Sequence, residues 1–401
     1  MTTPALQDFG FDADHQAIYD TAYRYARDHL YPLAMRMDRE DWFPEEAFRA
    51  LGGQGLLGMT VPPELGGAGL GVLAQCFVCE AASYWNHAFA ASMLASDNLC
   101  VHNLVRNAND EQKARYLPLF CDGRAIGALG MTEPGAGSDA LGSMASTARR
   151  DGDHYVLNGR KLFITNGPVA DVLLVYAKTA PEKKQHGISA FIVEKTFPGF
   201  RVAQKLDKMG WRGSPTGELV FDDVRVPVAN LVGAENAGVG IMMSGLDIER
   251  VIGAFYALGL AQRALDLAVD HAGARRQFGR PIGDFQMVQA MLADMYTDVE
   301  TMRALTYQLG REIAHLDNSA GGRGAVHKRS AAAVLHAGRA CMRVLDQAVQ
   351  IHGGMGFMNE SEVNRLYRSG KVMEIGAGTN QVRQIIIAGE LLKGGAGRAT
   401  P

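Results

Sequence analysis

The chain has almost no charge imbalance: 40 Lys and Arg against 43 Asp and Glu leave a formal net charge of −3 over 401 residues. It therefore has no general pull toward nucleic acid, and no basic C-terminal extension would supply one. No run of eighteen or more apolar residues is present, which argues against a membrane-spanning helix. The opening residues "MTTPALQDFGFDADHQ" lack the basic and then apolar segments of a secretory leader, so a cytoplasmic protein is expected. Cysteine is scarce and odd in number, five in all, which points to free thiols in a reducing compartment. Cys76 and Cys79 do form a C-x-x-C. The pair lies inside the apolar helical pattern "GVLAQCFVCEAASYW", with no second pair and no histidine at ligand spacing, so buried core thiols are expected and no metal. The glycine-rich turns contain no G-x-x-x-x-G-K-[ST], and no G-x-G-x-x-G between a strand and a helix. A P-loop and a dinucleotide fingerprint are thereby disfavoured. Repeats, low-complexity tracts and long linkers are lacking as well.

What is present reads as a soluble globular chain, 47% hydrophobic and 21% charged, in three regions. Residues 1–125 are helical in pattern, with Asp12 a plausible N-cap of "DADHQAIYDTAYRYARDHL". Residues 126–235 carry short β-branched and aromatic runs, and Asn158-Gly159 between two of them predicts a type I′ hairpin. Residues 236–401 return to long helical patterns, rich in alanine and glycine, that favour close packing. The expected fold class is α+β and multi-domain: an N-terminal helical domain, a middle β-barrel-like domain and a C-terminal four-helix bundle.

Four stretches carry candidate chemistry. "MTEPGAGSD", Met131 to Asp139, offers the Thr132 and Ser138 hydroxyls and a run of backbone N–H groups suited to a phosphate or the edge of an aromatic cofactor. In "KLFITNG", period-two alternation puts Phe163 and Thr165 on one face, able to hold a planar ring, although a core phenylalanine beside a solvated threonine explains the pattern as well. In "SGLDIERVIGAF" the helical neighbours of Glu249 are Gly245, Leu246, Ile252 and Gly253, none of them polar. A carboxylate on such a face is costly unless paired, for example with Arg250, or functional. Desolvation would raise its pKa toward the range where a general base works best. Finally, "EIGAGTN" near the C-terminus is a glycine turn with only a methyl group at its centre, Ala377.

In this order the pieces resemble the acyl-CoA dehydrogenase family over roughly residues 12 to 393. "MTEPGAGSD" is similar to one family signature and "QIHGGMGF…NRLYRSGK" to another. "NLCVHNLVRN", "KLDKMGWRGSPTGELVFDDVRVP", "MSGLDIERV" and "EIGAGTN" resemble most closely its isovaleryl-CoA branch. The resemblance implies FAD, an acyl-CoA substrate, an electron-transfer flavoprotein as acceptor and a homotetramer. It implies flavin contacts from Leu129, Met131, Thr132, Gly137 and Ser138, and from Phe163, Ile164 and Thr165. Arg275, Phe278 and Gln286 would reach FAD across a subunit interface, and Gln350, Gly353, Gly354, Thr379 and Gln381 would meet its adenine and pyrophosphate. Substrate contacts would come from Ser138, Asp247, Arg250, Ala377 and Gly378, the Ala377 amide facing the thioester oxygen. Many relatives carry the catalytic glutamate at the position of Ala377; in the isovaleryl branch a helical glutamate matching Glu249 acts instead, with Glu374 the rival carboxylate here.

The chain departs from the family pattern at Ser369, where aspartate is common, at Phe163, where tryptophan is common, and in "SYWNHAFAASMLASD", which bears on acyl-chain identity. Competing expectations are an isobutyryl-, 2-methylbutyryl-, butyryl- or citronellyl-CoA dehydrogenase, an acyl-CoA oxidase, or a flavin-containing nucleic-acid-binding relative.

Overall fold

Asp12 follows a short helical turn at Leu6–Phe9 and accepts a hydrogen bond from His15 N at 2.9 Å, starting α1 (Ala13–Tyr25) as its N-cap. The computed structural model describes residues 4–314 and 325–396. A π-helical turn carries α1 into α2 (Tyr31–Glu40); α3 (Glu45–Ala50), α4 (Val72–Met93), α5 (Asn103–Asn107) and α6 (Asp110–Cys121) complete the first region. α4 is buried nearly throughout, as a helix at the centre of a fold must be, and is mostly apolar around its circumference, with Glu80 and His87 among its buried polar side chains. Cys76 and Cys79 sit on it as free, buried thiols.

The middle region is a mixed sheet of β1 (Gly127–Gly130), β2 (Thr147–Asp151), β3 (His154–Thr165), β4 (Val172–Lys178), β5 (Ile188–Glu194), β6 (Phe200–Lys205), β7 (Thr216–Pro227) and β8 (Leu231–Val232). Its order is β6-β7-β3-β2-β4-β5-β8, with β1 alongside β4 in parallel. The hairpin expected at Asn158-Gly159 is not there. The turn between β2 and β3 comes at Gly152, which takes φ +62, and Asn158 and Gly159 lie within β3 at a register shift against β7. Gly159 passes so close to Ser146 that a Cβ would meet its Oγ at 2.2 Å, so close approach and not turn geometry requires the glycine there.

The last region opens with α7 (Gly238–Ala274), followed by the ribbon β9 (Arg276–Gln277) and β10 (Arg280–Pro281), then α8 (Gln286–Ala314), α9 (Ala325–His352), α10 (Gly354–Phe357), α11 (Glu362–Gly370) and α12 (Asn380–Ala396). α7 is one unbroken helix, long and apolar enough to cross a membrane by length and composition, but most of it is buried inside the bundle. One large core joins α1, α4, α7, α8 and α9, so the helical regions at the two ends of the chain form a single packed mass.

Candidate active site

β3 bulges between Lys161, opposite Leu219, and Ile164, opposite Gly217. The extra residue leaves Phe163 at φ +61, a conformation that costs a bulky L-residue on the order of 1–3 kcal/mol, and 64% exposed. Simple alternation across Phe163 and Thr165 is thus broken, yet the outcome is similar, because Ile164 is buried while Phe163 and Thr165 stay open. The Met131–Asp139 turn is stapled onto this bulge. Leu162 N donates to Thr132 O at 2.8 Å, and the buried Lys161 ammonium donates to Met131 O at 3.1 Å and to Glu133 Oε1 at 2.8 Å. Glu133 also accepts from Ala145 N and Ser146 N; burial opposes its charge, but Lys161 and these donors hold its carboxyl below the usual range. Ser138 and Gly137 are left exposed, and a Cβ at Gly135 or Gly137 would meet nothing within 4 Å. The hydroxyls of Thr132, Ser138 and Thr165 make no hydrogen bond among the described residues.

α7 brings Glu249 to the same region. Its first turns pack Ile241, Met242 and Leu246 into the cluster that also takes Leu129 and Met131. Glu249 has no hydrogen-bond or ion-pair partner among the described residues. Burial pushes its carboxyl up to about 7, against the opposing pull of Arg250 and Arg383. The pairing with Arg250 that would make Glu249 a structural residue does not form. Arg250 Nη1 donates instead to Asp247 Oδ1 at 2.7 Å, and His327 Nδ1 lies 2.7 Å from the same oxygen. Asp247 and Arg250, expected at the substrate, are therefore buried and turned largely on each other, within the same turn of α7 as Glu249.

The glycine turn is pinned from α12. Arg383, buried, donates to Met373 O at 2.7 Å, Gly376 O at 2.6 Å and Asn380 Oδ1 at 2.9 Å. Burial lowers its pKa to about 10, and its charge is felt at Glu249, which ties the turn to the carboxylate electrostatically. Glu374 is committed elsewhere, to Lys371 Nζ at 2.5 Å and Asn380 Nδ2 at 3.2 Å. Ala377 takes φ +54, and its N–H and that of Gly378 donate to nothing among the described residues. The Thr379 hydroxyl accepts from Val382 N at 3.2 Å as an N-cap of α12, so part of its capacity is structural.

The remaining predicted residues are on the surface. Phe278 stands 91% exposed at φ +50 with Gly279 at φ +80, the two central positions of the tight turn joining β9 to β10. Arg275 and Gln286 flank it, also exposed. Gln350, Gly353 and Gly354 are exposed at the end of α9, held near that ribbon by His271 and His352, whose rings stack at 4.2 Å; Gln381 is exposed on α12. Sequence reasoning missed Lys161 and Glu133, which are 28 positions apart, Arg383, which pins the glycine turn through its carbonyls, and His327 and Ser330, which complete the Asp247 cluster. Ser369, in the family's aspartate position, meets His87 Nε2 at 2.8 Å and Trp211 N at 3.0 Å, while Arg368 pairs with Asp38.

Comparison with known proteins follows the same three parts. Family models described as the N-terminal, middle and C-terminal domains of acyl-CoA dehydrogenase match residues 12–124, 128–224 and 236–392. The chain is 42% identical over 386 residues to the mitochondrial isovaleryl-CoA dehydrogenase of Oryza sativa subsp. japonica, covering 96% of this chain and 92% of that one. The butyryl-CoA dehydrogenase structure from Megasphaera elsdenii superposes with a TM-score of 0.90 at 35% identity, over 98% of this chain and 100% of the other. The structure of PigA with FAD and proline gives a TM-score of 0.89 at 30% identity, over 95% and 98%. With family models matching all three parts and relatives alike over nearly the whole length, the chain belongs to the acyl-CoA dehydrogenase family and is an oxidoreductase acting on acyl-CoA.

Proposed function

We propose that this enzyme carries FAD and removes the α-proton and β-hydride of a short branched acyl-CoA, isovaleryl-CoA first, giving the 2-enoyl-CoA. The observation that carries this reading is the unpaired Glu249 on its apolar helix face, with Glu374 tied into an ion pair. Glu249 takes the α-proton. That proton is far too weakly acidic for a free carboxylate, so the thioester oxygen must be polarised; the free Ala377 N–H suits that role, and one such donor is worth on the order of 3 kcal/mol. Bound FAD supplies the acceptor for the hydride and a ribityl hydroxyl as the second donor. The residues present fit it: Phe163 offers an open aromatic face, Thr165 and Ser138 free hydroxyls, and the exposed Gly135 and Gly137 permit close backbone approach.

Arg275, Phe278 and Gln286 point away from their own chain, and Met287, Phe357, Ile385 and Leu392 are exposed with them. A homotetramer in which these residues complete a neighbour's FAD site accounts for both facts. Electron-transfer flavoprotein is the proposed acceptor.

Because the base must be ionised, kcat/KM is expected to rise with pH through about 7 and level off above it, falling about tenfold per unit below. A flat profile between pH 5.5 and 8.5 would remove Glu249 from the role. In a panel of acyl-CoA thioesters with an artificial electron acceptor, isovaleryl-CoA is expected to give the highest kcat/KM, with little hydrogen peroxide under air. Turnover of no acyl-CoA would sink the reading, and stoichiometric peroxide would make the enzyme an oxidase.

A further inference from the structure

Where α1, α4, α7 and α8 meet beneath the short helical turn Leu6–Phe9, a cleft of about 500 Å3 opens, lined from all four helices and from that turn. Glu249 and the glycine turn take no part in its wall. Its size is that of a small-molecule site. Phe9, Tyr19, Tyr23, Tyr84 and Tyr296 give it aromatic walls, and ring faces carry negative potential. Its charged groups are Asp8, Glu80, Asp266 and Glu300 against the single cation Arg303.

The internal hydrogen bonds leave a gap on the acceptor side. Arg303 is already engaged, with Gln262 Oε1 at 2.5 Å, the Tyr307 hydroxyl at 3.2 Å and Glu80 Oε1 at 3.4 Å. Asp266 accepts from the Tyr84 hydroxyl at 2.6 Å and from Gln262 Nε2 at 2.8 Å. Glu80, only 1% exposed, uses Oε1 for Arg303 and Tyr307, but its Oε2 has no partner. Tyr19 is 3% exposed and its hydroxyl makes no hydrogen bond among the described residues; the Glu80 carboxylate is close enough to act on that phenol. Glu80 Oε2 is thus a buried acceptor left open at an acidic, aromatic cleft, with the free Tyr19 hydroxyl near it, and an unmet buried polar atom is costly. The cleft is also made on purpose in the backbone. At Gly259 a Cβ would lie 2.3 Å from Glu80 O, so α7 passes α4 closely enough to form the floor only with glycine there.

We propose that this cleft binds a small protonated amine, a primary alkylammonium or a short diamine, whose N–H groups meet Glu80 Oε2 and the Tyr19 hydroxyl while its charge lies against the tyrosine rings. An anion would face the acidic rim, and a neutral alcohol would leave the rim's charge unanswered. A metal ion is a poor fit, since no group of three or more His, Cys, Asp or Glu among the described residues is arranged to hold one. The site lies apart from the dehydrogenation machinery and does not depend on the acyl-CoA assignment.

The test is calorimetric titration of the FAD-loaded enzyme with 1,4-diaminobutane, with 1,4-butanediol as the neutral control. Saturable binding of the diamine at least tenfold tighter than the diol is expected. Tyr19→Phe should weaken it about fivefold through loss of one hydrogen bond, and Glu80→Gln about tenfold through loss of a charged one. If Glu80→Gln does not fold, Glu300→Gln at the half-exposed rim replaces it, with an expected loss of about threefold. Diamine binding no tighter than the diol overturns the proposal, and so does tight binding that Tyr19→Phe and the carboxylate variant leave unchanged.

Discussion

Glu249→Gln is expected to lower kcat by about 10²- to 10⁴-fold, the usual worth of a positioned general base. FAD content and acyl-CoA affinity should stay near the parent values, because the amide keeps the size of the side chain and the parent carboxylate holds no partner that its loss would strand. Retained affinity alongside lost kcat would show that the group acts in the transition state and not in binding. The paired experiment is Glu374→Gln. Glu374 is engaged by Lys371 Nζ and Asn380 Nδ2, so its replacement should leave most of the turnover. If Glu374→Gln abolished activity and Glu249→Gln did not, the base would lie in the C-terminal turn after all.

Lys161→Met should destabilise the protein by about 3–5 kcal/mol, the cost of removing one partner from a buried pair. Lys161 is 0% exposed, and burial lowers its pKa to about 8 even against the opposing pull of Glu133; Glu133 itself is held by the Ala145 and Ser146 N–H groups, which keeps the charged pair in place. The variant strands the Glu133 carboxylate and frees the Met131 carbonyl, so the turn offered to the flavin loosens at its first residue. A lowered denaturant midpoint together with reduced FAD retention at fixed protein concentration is the expected pair of readings. Adding Glu133→Gln to Lys161→Met should recover part of the stability, because much of the cost is the unpaired charge. A midpoint and FAD content both unchanged in Lys161→Met would show that other contacts hold the turn.

Periodicity placed Glu249 correctly on an apolar face, since helical neighbours three and four residues away are fixed by local geometry alone. The same local logic found the Asp12 cap, the buried thiols of α4 and the open center of "GAGT". It failed at Asn158-Gly159. A favourable turn pair was present, but the sheet turned earlier at Gly152 and used Gly159 to let β3 pass Ser146, and which of two compatible sites makes the turn depends on register with β7. At Phe163 the alternation was read without the bulge, because an inserted residue is visible only once the partner strand is counted against it.

The sequence by itself determined the order of helices, sheet and helices, the apolar setting of Glu249 and the small residue at Ala377, because each follows from neighbours a few positions away. The tertiary structure decided which charges are spent on one another. Asp247 took Arg250 and, from 80 positions along the chain, His327; Glu133 took Lys161 from 28 positions away; and Glu374 took Lys371. Among the described residues Glu249 was left without a partner. Which carboxylate stays free is settled only when the other charged groups have been placed.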